Sequence, residues 1–98
     1  MENMQFNYPE ATRSVNGRAH VGVVASGDME ILIEPSQTAA ASVSVTTSVQ
    51  GFQSTWKAVF DRFFSRYDGA VNIVINDAGA TPGSVTLRLQ QAVEVLGQ

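Results

Sequence analysis

The sequence predicts an α+β protein built as a two-layer sandwich, about five mixed strands with two helices on one face of the sheet. Three observations carry this. Apolar residues alternate with polar ones at period two in five short segments. Aromatic and aliphatic residues recur at spacings of three and four in two later segments. A two-residue link containing glycine joins two of the strand segments, the usual signature of a tight hairpin.

Taken in order, Met4, Phe6 and Tyr8 alternate with Gln5 and Asn7 and stop at Pro9, which suits a short edge strand. Glu10 to Gly17 is polar and reads as a loop. Ala19–Ala25 and Asp28–Glu34 are strong strand candidates. In the second, Met29, Ile31 and Ile33 share one face, and Glu30, Leu32 and Glu34 the other. Ser26-Gly27 would close the hairpin between them, since Gly27 reaches positive φ at little cost. Ser36–Ala40 is a loop after Pro35. Val43 and Val45 then alternate with Ser42, Ser44 and Thr46. Phe52 to Tyr67 reads as a helix, with Phe52, Trp56, Val59, Phe60, Phe63, Phe64 and Tyr67 as its apolar stripe and Asp68-Gly69 as its stop. Val71, Ile73 and Ile75 mark another strand. Thr81 is placed to cap a last helix, with Pro82 at its first position and Val85, Leu89, Ala92 and Leu96 on one face.

Composition removes several function classes. The 98 residues fit one domain, 1–98. No apolar run is long enough to span a bilayer, and Met1–Gln5 lacks the basic and apolar regions of a signal peptide, so a cytoplasmic protein is expected. There is no cysteine, hence no disulfide, no thiolate metal site and no protein thiol for thioester chemistry. A net charge of -3, with Arg13, Arg18, Lys57, Arg62, Arg66 and Arg88 spread along the chain, argues against nucleic acid.

The search for a catalytic constellation fails at each step. His20 is the single histidine, so multi-histidine metal motifs are impossible. It also lies six residues from Ser26 along a strand, near 20 Å at about 3.3 Å per residue, beyond reach as a general base. Gly17, Gly22 and Gly27 sit in strand sequence rather than in a phosphate loop, and Gly83-Ser84 lacks the flanks of a nucleophile elbow. Asp61 and Glu94 fall on helix faces as solvated charges. The aromatic stripe has the spacing of a core, not of a ligand box. Ser26 is different: ordinary turn chemistry explains it, yet a hydroxyl at a hairpin tip is also accessible to a modifying enzyme. Asp28 is placed to orient that hydroxyl or to be read by a partner.

The sequence resembles the delta subunit, or acyl carrier protein, of malonate decarboxylase. The stretch Gly17-Arg18-Ala19-His20-Val21-Gly22-Val23-Val24-Ala25-Ser26-Gly27-Asp28-Met29-Glu30-Ile31-Leu32-Ile33-Glu34-Pro35 carries the match. Thr46–Phe52, Trp56–Val59 and Asn76-Asp77-Ala78-Gly79-Ala80-Thr81-Pro82-Gly83 extend it from Gly17 to the last helix. A more distant similarity to the citrate lyase acyl carrier subunit covers mainly the Ser-Gly-Asp hairpin. The resemblance implies that Ser26 carries 2'-(5''-phosphoribosyl)-3'-dephospho-CoA through a phosphodiester bond, with Gly27 and Asp28 supporting it. The arm's thiol would hold acetyl and malonyl in turn. The chain would be non-catalytic, with no metal, served by an arm-attaching transferase and docking on the acyl transferase and decarboxylase components. The alternatives are an unmodified assembly or binding subunit, and a small metal-free acid–base enzyme. Val24, Leu32 and Val74, on the sheet face opposite the helices, are the expected docking patch.

Overall fold

The computed structural model describes residues 1–22 and 28–97. Its elements are β1 (Glu2–Tyr8), β2 (Arg13–Ser14), β3 (Ala19–Gly22), β4 (Met29–Pro35), β5 (Ala41–Thr47), α1 (Gln53–Phe64), β6 (Gly69–Asp77) and α2 (Pro82–Leu96). The sheet runs β1-β5-β6-β4-β3. β5 and β6 are parallel, while the β1–β5, β3–β4 and β4–β6 pairs are antiparallel. The mixed sheet with two helices is the architecture the alternation and the three-four spacings predict.

Alternation decides which face is covered. Met29, Ile31, Ile33, Val43, Val45, Val71, Ile73 and Ile75 point to one side and are buried there. Trp56 and Phe60 of α1 and Val85, Leu89 and Ala92 of α2 complete that core. Phe60 is fully enclosed and packs against the Phe6 ring at 5.3 Å and the Trp56 ring at 5.8 Å between centroids. Trp56, Phe60 and Tyr67 of the predicted stripe are therefore core, with Val59, Phe63 and Phe64 partly buried against it, whereas Phe52 precedes the helix and stays 48% exposed; both helices lie on one face. The other face carries polar cross-strand pairs. Ser42 Oγ donates to Asn72 Oδ1 at 2.8 Å, and Thr46 Oγ1 donates to Asn3 Oδ1 at 2.9 Å.

Two local expectations differ. The loop after Pro9 contains β2, which pairs with Gly69 and Ala70 at the start of β6. Asp68 causes this: its carbonyl accepts from the N–H groups of Thr12 and Arg13, and its carboxylate accepts from Arg13 Nε at 2.9 Å. Gly69 is not the helix stop, because it begins β6 with no positive φ. α1 instead ends at Ser65, which keeps right-handed helical geometry, with its hydroxyl donating to the Arg62 carbonyl. The described β3–β4 ladder pairs Val21 with Ile31 and Gly22 with Glu30, and the expected two-residue link at Ser26-Gly27 lies outside the described residues. Thr81 does cap α2, its hydroxyl accepting from the Ser84 N–H at 3.2 Å, with Pro82 first in the helix.

Candidate functional site: the base of the β3–β4 hairpin

Ser26 and Gly27, the predicted attachment residue and its neighbour, lie outside the described residues, as does Val24. Asp28 is described, and the residues bracketing the segment define where it leaves the sheet. On the β3 side, Gly22 has φ of 86°, and a Cβ there would come within 2.2 Å of the Met29 carbonyl oxygen. Only glycine lets the two backbones approach this closely.

On the β4 side, Asp28 is held at three points. Its Oδ1 accepts from the Met29 N–H at 2.7 Å, and its Oδ2 accepts from Arg88 Nη2 at 2.8 Å. Its carbonyl accepts from the Ala78 N–H at 2.8 Å. The Met29 N–H first, and then the Arg88 guanidinium, hold the Asp28 carboxyl below its ordinary range. Arg88 is braced by Gln91 Oε1. The chain two residues after Ser26 is thus clamped to α2 and to the β6–α2 loop.

That loop has its own anchor. Asp77 is 5% exposed and sits opposite Thr47 in the parallel β5–β6 register. Its Oδ2 accepts from the fully buried Thr47 hydroxyl at 2.8 Å and from the Gly79 N–H, and its Oδ1 accepts from the Ala80 N–H at 2.9 Å. The Thr47 oxygen in turn accepts from the Val49 N–H. Two loops are organised by one carboxylate. Between them, and between the first turns of α1 and α2, lies a cleft of about 310 Å³ lined by residues that include Val49, Phe52, Trp56, Ala80 and Val85.

Sequence reasoning missed Arg88, Asp77 and Thr47. Arg88 follows Val85 by three positions, beside the buried stripe of α2, and is that helix's only basic residue. Asp77 and Thr47 continue the inward parity of Ile73-Ile75 and Val43-Val45. A charged or polar residue at an inward position was the available signal.

His20 does not approach the hairpin base. It faces Glu30, Nε2 to Oε2 2.7 Å, and Glu30 also accepts from Asn76 Nδ2. These contacts, His20 first, hold the Glu30 carboxyl below its usual range. Asp61 accepts from Tyr8 and Lys57, an exposed cross-link rather than a reacting group. Among the described residues no three His, Cys, Asp or Glu side chains converge as metal ligands, and no helix is long and apolar enough to cross a membrane. On the face away from the helices, Val74 is 42% exposed and Leu32 is half-buried.

Comparison with known proteins points the same way. A sequence model of the malonate decarboxylase delta subunit (MdcD) matches residues 16–96. The malonate decarboxylase acyl carrier protein of Pseudomonas syringae pv. tomato is 48% identical over 99% of this chain and 98% of its own length. That of Stutzerimonas stutzeri is 45% identical, with the same coverage. Among solved structures, a chain of a Pseudomonas malonate decarboxylase hetero-tetramer in complex with malonate is 47% identical. It superposes with a TM-score of 0.92, over 99% of this chain and 100% of that one. The match of that family model to residues 16–96, with relatives 45–48% identical over nearly the whole length of both chains, places the chain in a single family: it belongs to the malonate decarboxylase delta subunits, the acyl carrier proteins of that complex.

Proposed function

We propose that this chain is a non-catalytic carrier whose Ser26 hydroxyl bears a phosphoribosyl-dephospho-CoA arm through a phosphodiester bond. The observation that supports the reading most is the match, over nearly the whole chain, to acyl carrier proteins of malonate decarboxylase. The chemistry of the chain fits such a group. It has no cysteine, so a thioester must be held on a thiol that the protein does not own. When attached, the arm supplies that thiol, holding acetyl or malonyl as a thioester that stabilises the carbanion left by loss of carbon dioxide better than free malonate does.

The chain's own residues position and present. Gly22 lets β3 close on Met29, and Arg88 and Ala78 fix Asp28, so the segment carrying Ser26 leaves the sheet from a braced base. A tether fixed in this way keeps its cargo at high effective concentration near each docked partner. Those partners are the acyl transferase and decarboxylase components, and the open face with Leu32 and Val74 is the surface offered to them.

Intact-protein mass spectrometry, on the full chain co-expressed with its arm-attaching transferase, tests the carrier role. A mass increase matching the arm should map to the peptide containing Ser26 and vanish in Ser26→Ala. An unmodified chain beside a demonstrably active transferase would leave an unmodified assembly subunit as the reading.

A further inference from the structure

We propose that the cleft between the first turns of α1 and α2 seats the acyl-bearing end of the arm in its acetyl form, against Trp56, and excludes the malonyl form. The inference rests on the carrier reading and assigns this chain a second role, that of storing its acetyl cargo out of water.

Position is the first argument. Met29 pairs with Asp77, and Asp77 with Thr47, so the hairpin base and the cleft occupy one end of the sheet. The connection is direct: the Ala78 N–H binds the Asp28 carbonyl, and the next two residues, Gly79 and Ala80, line the cleft. Consecutive Cα atoms are 3.8 Å apart, so Ser26 lies within roughly 20 Å of Ala80 along this route. A nucleotide and a pantetheine joined in series span more than that.

Chemistry is the second argument. A volume of about 310 Å³ falls at the lower end of small-molecule sites. Val49 and Phe52 at the cleft are 36% and 48% exposed, apolar surface that water covers in the bare chain. The polar side chains at the floor, Thr47 and Asp77, spend their atoms on each other and on the Val49, Gly79 and Ala80 N–H groups. Acetyl and the pantetheine dimethyl group suit such walls. The free carboxylate of a malonyl group does not: it would be stripped of water against Trp56 and Phe52 and brought towards the Asp77 carboxylate. The seat therefore favours the acetyl cargo and releases the malonyl cargo.

Trp56 is the only tryptophan and is 6% exposed, so its emission reads the cleft directly. The full chain is loaded by its transferase, checked by mass, and prepared with a free thiol, acetyl or malonyl. The acetyl form should shift Trp56 emission relative to the arm-free chain, whereas the malonyl form should not. Val49→Asp and Ala80→Leu, with folding confirmed by circular dichroism, should cancel the shift and let hydroxylamine cleave the acetyl thioester several-fold faster. A loaded chain in which Trp56 and thioester reactivity are indifferent to cargo and to both variants overturns the seat and leaves the carrier role standing. A shift that arises only when a partner subunit is added gives the cleft to that subunit and also overturns it. A chain that accepts no arm overturns both.

Discussion

Asp77→Ala should cost more stability than any exposed substitution, because of where its hydrogen bonds end. Of its three donors, the Gly79 N–H lies in an exposed turn and can turn to water. The Thr47 hydroxyl is fully buried and cannot. A hydrogen bond to a charged group contributes about 1.5–3 kcal/mol, and leaving a buried donor unmade costs about 1–3 kcal/mol. The dominant loss is therefore about 2–3 kcal/mol, with the half-buried Ala80 N–H adding to it. For a domain of this size the melting temperature should fall by roughly 10–20 °C. Thermal unfolding followed by circular dichroism measures it, and a double-mutant cycle with Thr47→Val isolates the pair. A fall of under about 3 °C, or no coupling in the cycle, would refute the claim that this carboxylate pins both loops.

Other consequences follow from the same geometry. Gly22→Ala puts a Cβ against the Met29 carbonyl at positive φ, and should lower the urea midpoint by at least the equivalent of about 1–2 kcal/mol; an unchanged midpoint would contradict the close approach. The carboxyls of Asp28, Glu30, Asp61 and Asp68 are held below their ordinary range, chiefly by the Met29 N–H, His20, Lys57 and Arg13 respectively. The unfolded chain then binds protons first, so this stabilisation is complete above pH of about 4–5 and is lost as pH falls through the lower folded values. A melting temperature constant down to pH of about 2 would count against those contacts. Leu32→Asp should leave the melt close to that of the parent while weakening assembly with the decarboxylase subunits. Normal assembly would sink the docking role of that face.

Legibility in the sequence followed how local the determining interaction was. The α1 stripe and the Met29-Ile31-Ile33 alternation could be read because burial acts through the period of a single element. The Thr81-Pro82 start could be read because capping is a contact over three residues. β2 could not: it exists because Asp68 reaches back to Thr12 and Arg13, and neither segment announces the other. At the site, Asp28 was visible as the neighbour of a serine, but its partner Arg88 lies 60 residues further on. Asp77, Thr47 and Arg88 were missed, because parity and stripe position mark such residues as unusual without saying what each would meet.

The position of β6 in the sheet bears on how the chain is made. It pairs with β2, β4 and β5, yet it begins only at Gly69. A nascent chain emerging from the ribosome can zip β3 to β4 early, because that pairing is local. Met29, Ile31 and Ile33 then have no lid, and β4 and β5 have no strand to join them, until the last third of the chain has been synthesised. α2, bringing Arg88, comes last of all. The hairpin base is thus braced by Arg88 only once α2 has emerged and packed, so this corner of the molecule is completed late even though β3 and β4 are made early.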